Sequence, residues 1–243
     1  VTDFLIQTID GQVRHDFSFS LMEAIDYQNW LHANSHSYHL AELDELFEHD
    51  YSNCTPSGTV EFVQEFLSGY HNIHKSKPIN IPNDLFSMKY LKRFVFKKKK
   101  EELWDCHGKV FLKSNDKIKG YTEFVDLDNL PADVPNDSFV ISEIVDIQSE
   151  WRAFVHNKQL VGLQHYLGDF KMFPDVNLIE EMINDYHNSP PSYTLDVGIN
   201  RASGTFLLES HNLWSTGFYC FRDTRIIPQM LVLSFRHLIK KGY

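Results

Sequence analysis

The residues with the clearest chemical potential lie in one stretch, 193–219 (YTLDVGINRASGTFLLESHNLWSTGFY). Tyr193, Leu195, Val197 and Ile199 alternate with Thr194, Asp196 and Gly198, the period of two expected of a strand with two distinct faces. Residues 200–204 supply turn formers, and strand character resumes at Thr205. If Asn200 and Thr205 close a hairpin, antiparallel counting sets Asp196 directly opposite Glu209. Two carboxylates so placed repel and weaken a sheet, and a hard divalent cation that takes their oxygens would turn the repulsion into attraction. His211 falls on the Glu209 face, two residues on. The register decides the matter, because a slip of one residue turns one carboxylate away. The alternative is a solvated hairpin with two exposed acids.

Lysines form a second group. Residues 109–114 (KVFLKS) read as a strand with Lys113 at its end, and residues 121–125 as its partner after a short turn. Lys113 and Lys119 at the mouth of that hairpin could clamp phosphates, although exposed lysines are the rule on any surface. Lys89, Lys92 and Arg93 lie near the run Lys97, Lys98, Lys99 and Lys100, which reads as a solvated basic turn. Residues 139–145 (FVISEIV) look like a strand buried on both faces. Glu143 interrupts that run, and a buried charge needs a partner. Glu150, Arg152 and Phe154 share one face of the following strand, since side chains alternate.

Two further groups admit two readings each. His32, His36 and His39 are spaced like one face of a helix and could form a metal cluster, but Asn34, Ser35 and Ser37 break helical character and favour a polar loop. Ser57, Gly58 and Thr59 open a helix whose free N–H groups could hold an anion such as a substrate carboxylate; an ordinary capped helix is the simpler expectation.

The elements that must carry these groups follow from pattern. Residues 4–9 form a strand. Ser20-Leu21-Met22-Glu23 is a capping box, opening a helix over 21–32 that buries Leu21, Ile25 and Trp30. A second strand covers 37–43, the acidic residues 42–50 form a solvated face, and a helix runs 59–67. Strand, helix, strand, helix make a small α/β lobe. Residues 77–82 (KPINIP) are extended and proline-bounded, the natural linker. A short helix follows to Lys92. A helix over 175–187 precedes the acidic hairpin, and an amphipathic helix over 227–240 closes the chain, with Pro228 in its first turn and Gly242 just past its end.

With 243 residues the chain holds one large or two small domains. A hydrophobic content of 42% excludes intrinsic disorder. A net charge of −10 argues against general nucleic-acid binding, which rests on Lys and Arg neutralising phosphates. Cys54, Cys106 and Cys220 imply neither a disulfide framework nor a zinc site, and a reducing, cytoplasmic compartment is expected. Residues 1–16 lack a secretory pattern. The apolar run 230–235 is too short to span a bilayer, so a soluble protein is expected. There is no GxGxxG, no Walker lysine loop, and residues 201–205 are not a nucleophile elbow.

Taken in order, VFLKS, ISEIV, SEWRAFV, LDVGI and LLESHNLWSTGFY resemble the ATP-grasp superfamily, and most of all its small bacterial and phage members. PSGTVEFV and INIPNDL fit the same group, and the resemblance runs from about Pro56 to Tyr219. It implies an α+β fold in which two α+β lobes clasp a nucleotide, preceded by a small α/β lobe. The implied domains are 1–82 and 83–243, the latter divided into 83–141 and 142–243. It also implies roles. Lys113 would contact the α- and β-phosphates of ATP, with Lys89 or Lys92 as a second phosphate-side lysine. Glu143, Ile144 and Val145 would form the adenine edge, Glu150 would take the ribose hydroxyls, and Arg152 would reach the transferring phosphoryl group. Asp196 and Glu209 would hold Mg²⁺. The family usually places Asn where this chain has His211, and Asn212 stands where the small clade often has Asp. Imidazole suits Mg²⁺ less well than an amide oxygen, which points towards Mn²⁺ or altered turnover. The implied activity is ATP-dependent carboxylate–amine ligation through an acyl phosphate, on an amino acid, a peptide or a protein. Two other readings stand beside it. One is a nucleotide-binding regulatory or interaction protein without turnover, motivated by His211. The other is an ATP-dependent enzyme acting on nucleic acid through residues 97–100, against which the acidic total weighs.

Overall fold

Three sheets organise the residues described by the computed structural model, 2–33 and 35–242. The first is parallel: β1 (Thr2–Gln7) lies between β2 (His36–Ala41) and β3 (Thr55–Ser57), with α1 (Asp16–His32) and α2 (Val60–His71) as its helices. After α3 (Met88–Leu91) comes an antiparallel sheet of β4 (Val95–Lys99), β5 (Lys109–Ser114), β6 (Thr122–Asp126) and β7 (Ser138–Ser142), in spatial order β4-β7-β5-β6. The third sheet contains β8 (Ser149–His156) and β9 (Gln159–Gly168), then, after α4 (Val176–Asp185), β10 (Ser192–Asn200) and β11 (Gly204–Asn212), in order β11-β10-β8-β9. α5 (Ile227–Lys241) closes the chain. Among the described residues no helix is long and apolar enough to cross a membrane.

β10 shows why the third sheet can carry a polar site. Its odd residues, Tyr193, Leu195, Val197 and Ile199, pack with Ile179, Met182 and Ile183 of α4 into one apolar cluster. Alternation therefore turns Thr194, Asp196 and Gly198 to the opposite face. The linker is fixed to the same sheet, because Asn80 bridges Ser210 of β11. α5 packs between the third sheet, where Phe154 of β8 joins its core, and the first lobe. Its Ile227, Met230 and Leu231 join Phe4, Leu21 and Ile25 in one core, while Phe235 and Leu238 join Leu5, Phe62 and Phe66 in another. The C-terminal helix thus shares its core with the first lobe, although the expected boundary at 82/83 separates them in sequence.

Several local expectations are corrected. α1 begins at Asp16 with no side-chain cap, so Ser20 lies inside the helix and is buried. The neighbouring Ser18 spends its hydroxyl on Ser57, 3.1 Å away, a tertiary contact in place of a cap. The buried stripe of α1 is Leu21, Ala24, Ile25 and Gln28. Trp30 lies off that stripe and is 79% exposed. His36 and His39 sit on β2, three residues apart and so on opposite faces. His36 Nε2 pairs with Gln28 Oε1 at 2.9 Å and His39 packs on Tyr51, which removes the histidine cluster; Asn34 lies outside the described residues. Lys97, Lys98 and Lys99 belong to β4 rather than to a turn. β4 is an edge strand, where lysine discourages further pairing. The start of α2 has the ordinary side-chain cap: Phe62 N donates to Thr59 Oγ1 at 3.1 Å, and Thr59 N is used by Gln7 Oε1 at 2.6 Å.

All three cysteines are free, with Cys54 buried and Cys220 exposed. Burial, helped by Asp3 and Asp50, pushes the Cys54 thiol up to about 11. At pH 8 a thiol reagent is expected to consume Cys220 quickly and Cys54 only after denaturation. Equal labelling rates in the folded protein would contradict the packing of the first lobe.

Candidate functional site

Asp196 and Glu209 are directly paired across β10 and β11, with Thr194 opposite His211. The hairpin reaches this register indirectly. It closes at Asn200–Gly204, where Gly204 takes φ 72° and Asn200 Oδ1 accepts from Ala202 N (2.8 Å) and Ser203 N (3.2 Å). That closure alone would set Asp196 opposite Leu208. A bulge between Asp196 and Val197 shifts the register by one, so that Val197 faces Leu207 and Asp196 faces Glu209. Bulges of this kind re-aim a side chain.

Cations surround the two acids. On the other side of β10, Arg152 of β8 is the strand partner of Asp196. It donates from Nε to Asp196 Oδ1 and from Nη2 to Oδ2, both at 2.7 Å, and from Nη1 to Gly217 O at 2.9 Å. Asp196 is 3% exposed and Arg152 5%. His211 Nε2 lies 3.3 Å from Asp196 Oδ2 and 3.5 Å from Glu209 Oε1. Lys113, reaching over from β5 of the second sheet, ion-pairs with Glu209 Oε2. Burial alone would raise both carboxyls, yet Arg152 and then His211 hold Asp196 below its usual range, and His211 and then Lys113 do the same for Glu209. Burial alone would lower His211, but Glu209 and then Asp196 raise it to about 9. His211 is therefore charged at neutral pH and stands where a cation is wanted.

Asp196, Glu209 and His211 each offer an atom within 4.8 Å of the others. The two carboxylates are the hard oxygen donors that Mg²⁺ takes, so the donor set fits. His211 can join it only after losing a proton, because a ligating imidazole must be neutral.

Beside the acids a cavity of ≈ 260 Å³ opens between the second and third sheets. Lys113, Phe111 and Phe124 line it from the second sheet, and Glu150, Tyr166 and Glu209 from the third. Glu143, Ile144 and Val145 form part of its wall just past the end of β7. Glu143 is exposed rather than buried, since the chain leaves the sheet after Ser142. Its main chain and carboxylate bond Phe94: Glu143 N donates to Phe94 O at 2.9 Å, and Phe94 N to Glu143 Oε2 at 3.1 Å.

Three lysines expected at this cleft are placed elsewhere. Lys89 pairs with Glu181 and Asp185 of α4 at 3.1 and 3.5 Å. Lys92 ends α3 in a left-handed conformation and donates to Ser203 O at 2.7 Å. Lys119 pairs with Glu61 of α2 at 3.0 Å. The cleft instead has Arg93, to which the sequence reading gives no role. Arg93 is buried and donates to Ser142 Oγ (2.8 Å), Leu91 O (3.0 Å) and Leu207 O (2.7 Å). Among the described residues no carboxylate ion-pairs with it. Burial lowers it to about 10 against the pull of Glu143 and Glu209, so it remains a cation at neutral pH. Tyr166 is a second residue that the sequence reading omits. Antiparallel counting from the His156–Gln159 closure sets His165, not Tyr166, opposite Glu150, and two register shifts along β8–β9 bring Tyr166 to that carboxylate instead.

Two antiparallel sheets facing across a cleft, basic groups on one wall and paired acids on the other, make this an ATP-grasp fold. The chain belongs to an ATP-grasp domain family, family 2 of its clade, whose defining pattern matches residues 90–227. Solved structures share the fold across nearly all of the chain. D-alanine–D-alanine ligase from Bacillus anthracis, complexed with ATP, superimposes with a TM-score of 0.55 at 10% identity, covering 100% of this chain and 99% of that one. A RimK domain ATP-grasp protein from Sphaerobacter thermophilus gives 0.54 at 12% identity, covering 97% and 99%. The ATP-grasp ligase PsnB with its minimal precursor gives 0.55 at 10% identity, covering 96% and 99%. No curated protein matches the sequence.

Proposed function

We propose that this protein is an ATP-dependent carboxylate–amine ligase acting on an amino acid, a peptide or a protein. The observation that carries the reading is the Asp196–Glu209 pair facing Lys113 across the cleft, an arrangement suited to the two sides of a metal–nucleotide complex. Lys113 and Arg93 would bind the phosphates, the main chain of Glu143, Ile144 and Val145 the adenine edge, and Glu150 the ribose. Asp196 and Glu209 would hold Mg²⁺, with His211 as a third ligand once deprotonated, a donor better suited to Mn²⁺. The ion would neutralise phosphate charge as it shifts during transfer. Arg152 uses three N–H groups on Asp196 and Gly217. A guanidinium carries five, so two remain for the transferring phosphoryl group.

In the first half-reaction an oxygen of the substrate carboxylate attacks the γ-phosphorus, the bond to the β–γ bridging oxygen breaks, and ADP leaves. An amine then attacks the acyl carbon, loses a proton, and phosphate departs. The protein positions and neutralises charge, and none of its groups becomes covalently bound. The use of ATP and the free thiols suit a cytoplasmic setting.

Nucleotide binding without turnover is a second reading, favoured by the charged His211 between the two acids. Hydroxylamine separates the two. A ligase fed ATP, Mg²⁺ or Mn²⁺ and a panel of amino acids and peptides should yield a hydroxamate, with ¹⁸O passing from the labelled carboxylate to phosphate. ATP binding with no carboxylate-dependent ADP release across the panel would favour the second reading. Absence of ATP binding would overturn both.

A further inference from the structure

Tyr166 occupies a special place on β9. β8 and β9 pair regularly from Arg152–Gln164 to Trp151–His165, and the register then shifts so that Glu150 faces Leu167. Tyr166 is therefore the extra residue of a bulge, the device that re-aims a side chain. Its hydroxyl donates to Glu150 Oε2 at 2.7 Å and lies 3.4 Å from Asp196 Oδ2. A phenol has one proton to donate. Asp196 already accepts twice from Arg152, so the shorter contact, to Glu150, takes it. Glu150 Oε1 then has no partner among the described residues, although Glu150 and Tyr166 both line the cavity.

The ring is held as firmly as the hydroxyl. Tyr219 stacks on it with centroids 4.9 Å apart and planes 15° apart. The Arg152 guanidinium lies 5.6 Å from the Tyr166 centroid and 4.8 Å from that of Tyr219. Tyr219 reaches this stack at φ 47°, followed by Cys220 at φ 67°. Bulky residues avoid this left-handed region, and such outliers persist where the surroundings over-determine them. The strained turn, the bulge and the hydrogen bond all fix one tyrosine beside one carboxylate.

We propose that Tyr166 is a positioning residue that sets the sugar preference of the cleft. By occupying Oε2 of Glu150 it presents Oε1 to the 2′,3′-diol of a ribonucleoside triphosphate. This rests on the reading of the cleft as a nucleotide site and adds to it a selection for ribose over deoxyribose. A diol offers two O–H donors, and a deoxynucleotide leaves a fixed carboxylate oxygen short of one. A site built to hydrogen-bond a hydroxyl rejects the analogue lacking it.

The test measures binding, so it does not depend on turnover. Affinities of ATP, 2′-deoxyATP and 3′-deoxyATP are determined by calorimetry with Mg²⁺ for the wild type, Tyr166→Phe, Glu150→Ala and the double variant. The wild type should prefer ATP by about tenfold or more over at least one deoxy analogue, the scale of one hydrogen bond to a charged group. Tyr166→Phe should reduce that ratio to within about threefold, and should add nothing further once Glu150 is Ala, because the two act through one contact. A Tyr166→Phe protein that folds, binds ATP and keeps the full ratio would overturn the inference, as would a wild type that binds ATP and both analogues equally. A wild type that binds none of the three would overturn the nucleotide reading itself. If Tyr166→Phe fails to fold, the Glu150→Ala ratio decides, since an unchanged preference there removes the carboxylate through which Tyr166 is held to act.

Discussion

Asp196→Ala is expected to lower folding stability by about 3–5 kcal/mol, read as a shift in the urea midpoint at unchanged slope. The cause is Arg152, not a lost metal. Its guanidinium is buried with both hydrogen bonds to Asp196 at 2.7 Å, and removing the carboxylate strands a desolvated charge. His211 loses one of its two acidic neighbours at the same time. Asp196→Leu combined with Arg152→Met should cost clearly less than the sum of the two single changes, because the double variant leaves neither half of the pair behind. A midpoint for Asp196→Ala within error of the wild type would sink this account. One practical consequence is that lost activity in Asp196→Ala cannot by itself be assigned to metal binding. Glu209 is the cleaner probe, since its partners Lys113 and His211 are 25% and 22% exposed, and His211 keeps Asp196 beside it.

The hairpin that carries these acids was legible in part through two compensating departures. The sequence reading closes it at Asn200–Thr205 and arrives at Asp196 opposite Glu209; the chain closes it at Asn200–Gly204 and recovers the same pairing through a bulge. Alternating hydrophobicity marks which face is buried, and here both routes turn the same side chains to α4. It does not mark where a strand takes in an extra residue. β5, the Lys113 strand, was legible to the residue, because KVFLKS is bounded by turn formers on both sides. The remaining basic groups were not. Lys89, Lys92 and Arg93 lie within five positions of one another, and nothing in composition separates an arginine turned into the cleft from lysines turned to α4 and to the β10–β11 turn. The distinction comes from the left-handed turn at Lys92, φ 47°, which ends α3 and redirects the chain. Trp30 failed for a related reason: a large apolar side chain argues for burial, but its angular position on α1 puts it opposite the packed stripe. Long-range pairing overrode local preference at β4 too, where cross-strand partners from Ser138 to Ser142 draw three lysines into a sheet.

Lys113→Met is expected to move two affinities in opposite directions. ATP binding should weaken by roughly 10- to 100-fold, as for a hydrogen bond from a charged donor to phosphate. Mn²⁺ binding without nucleotide should tighten. Lys113 on β5 and Glu209 on β11 belong to facing sheets, and their ion pair spans the cleft at the acidic end. Glu209 cannot give that oxygen to a metal while the ammonium holds it, and Lys113 cannot reach a phosphate while it holds Glu209. Nucleotide and metal would therefore each release the partner the other needs, and their binding to the wild type should be cooperative, as linkage requires of two ligands acting on one equilibrium. In Lys113→Met the pair is gone, Glu209 keeps His211 beside it, and the share of the cooperativity that comes from breaking the ion pair should be lost, leaving the direct attraction of metal for phosphate. Folding stability should fall by less than in Asp196→Ala, because the side chains of this pair are 25% exposed against 7% and 4% for Arg152 and Asp196, and Glu209 keeps His211 as a partner. The measurement is a titration of Mn²⁺, followed by electron paramagnetic resonance, with and without a non-hydrolysable ATP analogue. If Lys113→Met leaves metal affinity in the free protein unchanged or weaker, the ion pair is not what competes with the cation. Unaltered nucleotide affinity would place the phosphates away from β5 altogether.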